Sequence, residues 1–401
     1  MKGTVIFLRY LDYFFRIMTV LFMLPIPLVI SLFIRHRARY KDIWLIAERE
    51  DEARDNGYHL FKYIRTQYPH KQVYYVIDFK SRDKQRLEKL GNLVDYLSFK
   101  HFLYFVLCSK SISTHLHGAA PMARACIPFY PLMPKKKIVF LDHGIIKDYM
   151  LGLHKKFSRI NMFICGAKPE YDYIKDKFGY DPMEVQYTGH ARFDNLHENS
   201  TGKRQILLMP TFRKWLYNLT RLPHEIGEEE FKKDQFYVRY QSLLINESLM
   251  EALDKYNYNL IYFPHSSAQD FLHVFESIHP RIILASRDNH DIQDLLLQSR
   301  LLITDYSSVF FDFAYMHKPV LYYQFDTERY RSQHYQQGYF EYKTHGFGPV
   351  VSDENDVIDK VISYMQSEFA MEPEYVKRAS AFFPLRDNNN CSRIFSAICA
   401  M

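Results

Sequence analysis

With 401 residues, the chain is long enough for two domains that each bury a core of their own. Phe and Tyr number 32 each against 14 Gly, which argues against a disordered or low-complexity chain. The formal net charge is +6, and the basic residues cluster without any nucleic-acid recognition motif, so an anionic surface or a phosphate-bearing substrate is favoured over nucleic acid.

The first predicted element is an apolar segment within residues 1–40. Its uncharged part lies between Arg16 and Arg35 and is at the short end of what spans a bilayer. Pro25 and Pro27 would break a single straight helix. We therefore expect a helix–break–helix segment that dips into one leaflet, anchored by its basic flanks. A spanning helix and a buried helical pair are the alternatives.

Two series of short apolar runs alternate with helical, charged segments after residue 40. The first series is IWLIAE, QVYYVID, NLVDYLS, KSISTH, KIVFLDH, NMFICGA and VQYTGH, and the second is QILLMP, YNLIYFPH, RIILAS, LLITDYSS and KPVLYY. Continuous apolar strands separated by helices indicate parallel sheets covered on both faces. The pattern predicts an α/β protein with two Rossmann-like doubly wound domains, at residues 41–200 and 201–370, and a helical tail at 371–401.

Three further expectations concern the connecting segments. Residues 237–256 are expected to form one helix before the next strand, and the charged block 215–230 resembles an insertion or lid. The five cysteines are scattered, odd in number and without metal-ligand spacing, which indicates reduced thiols in the cytosol.

Polar side chains concentrate where the predicted strands end, which is where open parallel sheets bind ligands. In the first series these are His115, His117, Asp142, His143, Gly144, His190, Arg192 and Asp194. In the second they are Thr211, Arg213, His265, Ser266, Ser267, Asp305, Ser307 and Ser308. Each alone is more often a cap or a satisfied loop residue, and Asp305, Ser307 or Ser308 could simply cap the following helix. Together they supply donors and positive charge without clustered carboxylates, so we expect a phosphate ester between two domains, and neither a metal nor a cofactor.

The motifs that carry a family resemblance run roughly from residue 112 to 362. They are HG (143–144), TG-x-x-R-x-D-x-L (188–196), PT-x-R (210–213), PH (264–265), TDYSS (304–308), FD (311–312), KP (318–319) and GP (348–349). With them the chain resembles the CDP-glycerol glycerophosphotransferases, which build teichoic acids and related capsule polymers. The resemblance implies a glycosyltransferase-B-like architecture with the nucleotide donor on the C-terminal domain and the acceptor on the N-terminal one.

The implied reaction is attack of an acceptor hydroxyl on the β-phosphorus of a CDP-polyol, with release of CMP. His143 is the expected catalytic base, the alternative being a loop histidine bonded to a backbone carbonyl, and His265 is expected to contact the diphosphate or leaving group. The expected donor-binding residues are Arg213, Ser266, Asp305, Ser307 and Ser308, with Asp305 either orienting a neighbour or capping a helix. The expected acceptor or cleft residues are Gly144, His115, His117, Arg192, Asp194 and Thr211.

The implied partners are CDP-glycerol or CDP-ribitol, a lipid-linked saccharide or polyol-phosphate acceptor, and the cytoplasmic face of the membrane, bound peripherally or monotopically. Glycerol phosphate is the expected group transferred, and homo-oligomerisation is left open. Two other functions remain: an inverting nucleotide-sugar glycosyltransferase of the same fold, and a catalytically silent membrane-bound nucleotide-binding protein.

Overall fold

The computed structural model describes residues 2–196, 202–216, 219 and 224–401, with only the backbone described at 2–12, 123, 224–226 and 266–267. The chain forms two compact units. The first contains Met1–His143, Leu151–Asp194 and Asp387–Met401, and the second contains Gly144–Met150 and Asn195–Arg386. The tail expected at 371–401 is therefore divided between the units, and the segment 144–150 belongs to the second.

The strands and helices of the described residues are numbered here in chain order. The strands are β1 (Trp44–Ala47), β2 (Val73–Ile77), β3 (Leu93–Asp95), β4 (Lys110–Ser113), β5 (Lys137–Phe140), β6 (Met162–Cys165), β7 (Val185–Tyr187), β8 (Gln205–Leu208), β9 (Asn259–Tyr262), β10 (Ile282–Leu284), β11 (Leu301–Thr304), β12 (Val320–Tyr323) and β13 (Val350–Val351). The helices are α1 (Lys2–Met23), α2 (Pro25–Ile34), α3 (Asn56–Gln67), α4 (Lys84–Glu88), α5 (Phe99–Leu107), α6 (Lys168–Lys177), α7 (His224–Lys233), α8 (Gln235–Leu244), α9 (Glu247–Tyr256), α10 (Ile292–Gln298), α11 (Phe310–Tyr315), α12 (Thr327–Gln333), α13 (Tyr342–His345), α14 (Glu354–Gln366), α15 (Pro373–Phe382) and α16 (Asn390–Cys399).

Each unit contains one parallel sheet. The first sheet has seven strands in the order β3-β2-β1-β4-β5-β6-β7, and the second has six in the order β10-β9-β8-β11-β12-β13. Every strand pair is parallel. The strand order reverses between β1 and β4 in the first sheet and between β8 and β11 in the second, and such switch points are where doubly wound sheets bind ligands. The predicted fold class is confirmed, and the one strand missed is β13, which has two residues.

The strands are short and apolar because both sheet faces are covered. All four residues of β1, β6, β8, β11 and β12 are buried. Trp44 at the start of β1 is fully buried and its ring lies 5.6 Å from that of Phe395 in α16. The last helix of the chain therefore completes the core of the first unit.

The apolar N-terminal segment contains two helices with a break at Leu24. Pro25 is the first residue of α2, where its missing N–H costs nothing. Its ring clashes with the preceding helical turn, and this ends α1. Residues Tyr13–Ile34 are long and apolar enough, by length and composition, to cross a membrane. The large apolar side chains exposed there include Phe14, Phe15, Phe22 and Phe33. The expected break is present, and the segment is compatible with membrane association.

The second unit departs from the sequence prediction in its helices. The expected helix 237–256 is wrong, because α8 ends at Leu244 and α9 begins at Glu247. The side chain of Asn246 between them accepts a hydrogen bond from the N–H of Leu249 and so starts a new helix. In the block 215–230, expected as an insertion or lid, residues 217–218 and 220–223 lie outside the described residues, and α7 begins at His224.

Two of the family motifs have structural roles in this unit. The ammonium of Lys318, in KP, donates to the carbonyls of Leu296, Leu297 and Ser299 at 3.1, 2.6 and 3.0 Å and so holds the end of α10. A Cβ at Gly348, in GP, would lie 1.6 Å from the carbonyl oxygen of Val320, so only glycine fits against β12.

Candidate active site

His143 lies at the carboxyl end of β5, held by the residue before it. Asp142 has a left-handed backbone (φ 56°), which Asp tolerates better than most residues. Its fully buried carboxylate accepts from the N–H of His143 at 2.7 Å, and the same oxygen lies 3.4 Å from His143 Nδ1. Burial raises the pKa of Asp142 to about 6, against the lowering effect of His143. The side chain of His143 is 57% exposed, so its imidazole faces solvent while Asp142 holds its backbone.

The loop that carries His143 is fastened by an asparagine and an arginine. Asn56 Nδ2 donates to the carbonyl of Asp142 at 2.8 Å, and Asn56 Oδ1 accepts from the N–H of Arg192 at 3.0 Å. Arg192 Nη1 donates to the carbonyl of His143 at 3.0 Å and to Asp55 Oδ1 at 2.7 Å. Arg192, expected to line the cleft, therefore positions the backbone of His143. Asp55 and Asn56 were missed, because their sequence signal is that of an ordinary helix start.

His115, from the end of β4, lies parallel to His143. The two rings have centroids 5.4 Å apart and an interplanar angle of 3°. His115 Nε2 accepts from Arg49 Nε at 3.4 Å, so Nδ1 carries the proton and donates to Thr114 Oγ1 at 2.9 Å. Burial, together with the nearby His143 and Arg49, lowers the pKa of His115 to about 3. His115 is therefore a neutral neighbour of His143 at neutral pH.

The remaining candidates of the first unit lie in three environments. His117 is half-buried near His115. His190 is fully buried, neither ring nitrogen has a hydrogen-bond partner among the described residues, and burial lowers its pKa well below the ordinary value. Asp194, expected in the cleft, accepts from the N–H groups of Asn390 and Cys391 at 2.9 and 2.8 Å. Its carboxylate is therefore used to hold the start of α16.

In the second unit, Asp305 organises the turn after β11. Its Oδ1 accepts from the N–H groups of Thr211 and Tyr306 at 2.8 and 2.5 Å, and its Oδ2 accepts from Arg213 Nη1 at 2.7 Å. The following helix, α11, starts at Phe310 without a side-chain cap. Of the two roles considered for Asp305, the structure thus shows the orienting one, and the capping alternative is wrong for this turn.

Arg213 is fully buried and paired with two carboxylates. Besides Asp305 it contacts Asp326 through Nε at 2.7 Å and Nη2 at 3.0 Å. Burial lowers the pKa of Arg213, but the two carboxylates outweigh it and hold that pKa well above the ordinary value. Instead of the expected phosphate contact, the structure gives Arg213 a position inside the unit, where it joins the loop after β8 to the turn after β11.

The side chains left at this surface are small hydroxyls. Ser307 and Ser308 are half-buried, and the buried hydroxyl of Thr211 has no hydrogen-bond partner within the described part of the chain. A Cβ on Gly144 would lie 2.7 Å from Ser308 Oγ, so glycine allows this close approach. A buried hydroxyl without a partner in the described protein is available to bond to a ligand.

His265 follows β9 and is exposed, while the side chain of Ser266 lies outside the described part of the structure. The carbonyl of His265 accepts from the N–H of Ala268 at 2.7 Å, which starts a 3-10 turn. Each candidate from the second series thus remains at a strand end, but only some of them face the surface.

Sequence reasoning missed a buried ion cluster in the segment after Gly144. The ammonium of Lys147 pairs with Asp148, and Arg331 Nη1 donates to Asp148 Oδ1 at 2.6 Å. Burial lowers the pKa of Lys147 and outweighs the opposing effect of Asp148. The N–H of Tyr149 also donates to the carbonyl of Gln336 at 3.1 Å, so residues 144–150 are tied to the end of α12 and the loop after it. Within the residues described, no group of three His, Cys, Asp or Glu side chains could hold a metal ion.

Two parallel-sheet α/β units with polar loops at their switch points define a glycosyltransferase-B-like protein. The wall teichoic acid polymerase TagF, a histidine variant soaked with CDPG, shares this fold with a TM-score of 0.69 over 98% of both chains at 14% identity. A Staphylococcus aureus MnaA–UDP structure is similar with a TM-score of 0.54 over 89% of this chain and 96% of that one at 15% identity.

The sequence pattern of the CDP-glycerol:poly(glycerophosphate) glycerophosphotransferases matches residues 28–400, and the chain belongs to this family. It is 37% identical over 368 residues to the minor teichoic acid biosynthesis protein GgaB of Bacillus subtilis, covering 89% of this chain and 40% of GgaB. It is 31% identical over 264 residues to the teichoic acid glycerol-phosphate transferase of Staphylococcus aureus, covering 63% of this chain and 64% of that protein. The matches thus span less than two thirds of the length of either relative.

Replacing Arg213 by Met should lower the stability of the second unit by about 3–5 kcal/mol, because two buried carboxylates lose their partner. Differential scanning calorimetry measures the loss. The matched control is Arg281→Met, which removes a surface contact with Asp254 (2.7 Å) and should cost less than about 1 kcal/mol. An Arg213→Met protein with the melting temperature of the wild type and a raised KM for donor would instead make Arg213 a ligand contact.

Proposed function

We propose that the protein transfers glycerol phosphate from CDP-glycerol to a hydroxyl of a lipid-linked or polymer acceptor and releases CMP, in teichoic acid or capsular polymer synthesis. The observation that carries the proposal is the sequence His143-Gly144. An exposed imidazole fixed by a buried carboxylate immediately precedes a glycine that packs against Ser308 of the TDYSS turn. Family membership supports the choice of CDP-glycerol, because the family's description names it.

In the proposed reaction, the acceptor oxygen forms a bond to the β-phosphorus as the bond from that phosphorus to the bridging oxygen breaks. The electron pair of the broken bond leaves with CMP, and the acceptor proton passes to Nε2 of His143. Phosphoryl transfer depends chiefly on in-line positioning and on hydrogen bonds to the phosphate oxygens. A rigidly mounted, solvent-facing histidine provides the base that this reaction needs.

The donor diphosphate is assigned to the turn after β11. The hydroxyls of Ser307, Ser308 and Thr211 donate to its oxygens, and the orphaned hydroxyl of Thr211 supports this assignment. Asp305 and Arg213 act through the turn, because they hold its backbone and are fully buried. We assign His265 and the adjoining Ser266, after β9, to the leaving-group side of the same diphosphate.

Asp142 is proposed as a positioning residue for His143. Its Oδ1 lies 3.4 Å from Nδ1, and we propose that it favours the tautomer with the proton on Nδ1, which leaves Nε2 able to accept the acceptor's proton. Asn56 and Arg192 fix the same loop through backbone carbonyls, so the orientation of the imidazole does not depend on one contact.

The proposed location is the cytoplasmic face of the membrane, with α1 and α2 lying in the interface. Two features support this location: both helices expose phenylalanines, and arginines lie at either end of the apolar part. Burial of the apolar side chains and attraction of the arginines to anionic headgroups both contribute to the free energy of membrane binding. The five cysteines are all free, and four of them are buried, which agrees with a reducing compartment.

Replacing His143 by Ala should reduce CMP release from CDP-glycerol, in the presence of a lipid-linked disaccharide acceptor, by about 10²–10⁴-fold. Ser307→Ala should cost about 10²–10³-fold, as for the loss of one donor to developing charge. His70→Ala, an exposed histidine at the amino end of β2, serves as the control and should leave turnover unchanged. Turnover within a few-fold of wild type for both variants, or a product with a glycosidic bond by mass spectrometry, would refute the proposal.

Asp142→Asn should lower kcat roughly 10²-fold and change its pH dependence, while the fold is kept because Asn also tolerates a left-handed backbone. Burial raises the pKa of Asp142 to about 6, so wild-type kcat should fall as the carboxylate is protonated below that pH, and the variant should lack this part of the acid limb. Asp42→Asn is the matched control, because Asp42 is also left-handed (φ 54°) but precedes β1. A variant with wild-type kcat at every pH would exclude the positioning role.

Replacing Phe22 and Phe33 by Glu together should weaken binding to anionic phospholipid vesicles at least roughly a hundredfold, because each buried Phe contributes about 1.5–3 kcal/mol. These side chains are 74% and 75% exposed. Vesicle sedimentation measures binding, with Phe157→Glu, an equally apolar change at a 59% exposed site outside the helices, as control. Equal binding by the double variant and the control would contradict the interfacial location.

A further inference from the structure

One segment of the second unit begins directly after the proposed base. Residues Gly144–Met150, here called the strap, belong to the second unit, whereas His143 belongs to the first. A Cβ on Gly144 would lie 2.7 Å from Ser308 Oγ, so the first residue of the strap packs against the turn after β11. The placement of the strap therefore fixes the residue after His143 relative to a hydroxyl proposed to bind the donor.

Apolar burial alone does not give the strap a single position. Ile145 and Ile146 are 2% and 6% exposed, and burial of such side chains is favourable but non-directional. Hydrogen bonds are directional, and the N–H of Tyr149 donates to the carbonyl of Gln336, beyond α12, at 3.1 Å. The middle of the strap carries a second directional contact, which is the buried ion cluster.

The ion cluster places one carboxylate between two cations. Asp148 pairs with the ammonium of Lys147, and Arg331 Nη1 donates to Asp148 Oδ1 at 2.6 Å. Lys147 and Asp148 are each 5% exposed, and the side chain of Arg331 is 19% exposed. Buried ion pairs often contribute little net stability, because apolar residues of similar volume do as well. Their charge-assisted hydrogen bonds are strong and directional, so the cluster holds the strap in a defined place.

The helix that carries Arg331 is also joined to the turn after β11. The ring of Tyr330, the preceding residue, stacks on the ring of Tyr306 with centroids 3.8 Å apart and an interplanar angle of 13°. Tyr306 lies within the TDYSS motif, and its hydroxyl donates to Asp326 Oδ1 at 3.1 Å. Helix α12 thus contacts the strap through one residue and the turn after β11 through the residue before it.

We infer that Arg331 and Asp148 are positioning residues for the proposed reaction, which hold the strap, and with it the peptide after His143, against the turn after β11. Helix α12 makes the connection. The inference rests on the proposed function, because it takes His143 as the base and this turn as the donor site. The two residues act on the reaction through the backbone of the strap.

The expected effect is on turnover and not on donor binding. In-line phosphoryl transfer is sensitive to alignment, and a misplacement of about 1 Å can cost about a hundredfold in rate. The turn after β11 is held by other contacts as well, since Arg213 Nη1 donates to Asp305 Oδ2 at 2.7 Å. Loss of the contact between Arg331 and the strap should therefore lower kcat and leave the KM for CDP-glycerol unchanged.

Arg331→Met is the informative change, because it leaves the buried pair of Lys147 and Asp148 in place. The variant should lower kcat for CMP release from CDP-glycerol about 10–100-fold, with a KM for CDP-glycerol within about twofold of wild type. Arg331→Lys keeps a cation beside Asp148 and should recover most of the loss. The control is Arg329→Met, two positions earlier on α12, which removes an ion pair with Asp234 (3.0 Å) outside the strap and should leave kcat unchanged. Wild-type kcat in Arg331→Met, an equal loss in the control, or no recovery with lysine would overturn the inference.

A second measurement does not depend on activity. Hydrogen–deuterium exchange followed by mass spectrometry should show faster exchange in Arg331→Met for peptides within residues 144–150, with peptides within 301–308 unchanged. Equally faster exchange in both sets of peptides would mean general destabilisation and would also overturn the inference. If exchange changes as expected but wild type releases no CMP from CDP-glycerol, the anchoring of the strap stands and the proposed function fails. If CMP is released and exchange in the strap is the same in both proteins, the inference alone fails.

Discussion

Buried carboxylates that accept backbone N–H groups hold the loops at the carboxyl edges of both sheets. Glu48 does so after β1, Asp142 after β5 and Asp305 after β11. Each removes unsatisfied donors from a chain that has just left a parallel strand, where the sheet no longer supplies partners. The polar groups that reach the surface can be placed with precision because these buried residues have already fixed the backbone.

The three carboxylates differ in what they leave available. Asp142 leaves an imidazole exposed, Asp305 leaves half-buried hydroxyls at the surface, and Glu48 bonds N–H groups at the start of α3. The first suits proton transfer and the second suits hydrogen bonds to phosphate oxygens. Buried carboxylates of the same kind thus support the roles proposed for the base and for the donor-binding turn.

The sheets could be predicted from sequence because each strand is a continuous apolar run, and short runs of this kind separated by helices are typical of parallel sheets covered on both faces. The two-residue strand β13 carries too little pattern to be seen, and the break between α8 and α9 depends on one Asn cap. Which strand-end residues are exposed could not be predicted. Arg213 is buried against Asp326, and the carboxylate of Asp194 is bonded to the start of α16, and both partners are more than a hundred positions away in the sequence. Burial of a charged side chain depends on such distant partners, and one sequence does not show them.

The helix that closes the first core comes last in the chain. Trp44 and Phe395 are in contact although nearly all of the protein lies between them in sequence, and the second unit is inserted before α16. During synthesis on the ribosome the second unit therefore emerges whole while the first still lacks a helix that covers its apolar surface. The N-terminal sheet can reach its final stability only after α16 has been synthesised, so the unit whose synthesis starts first is completed after the second unit.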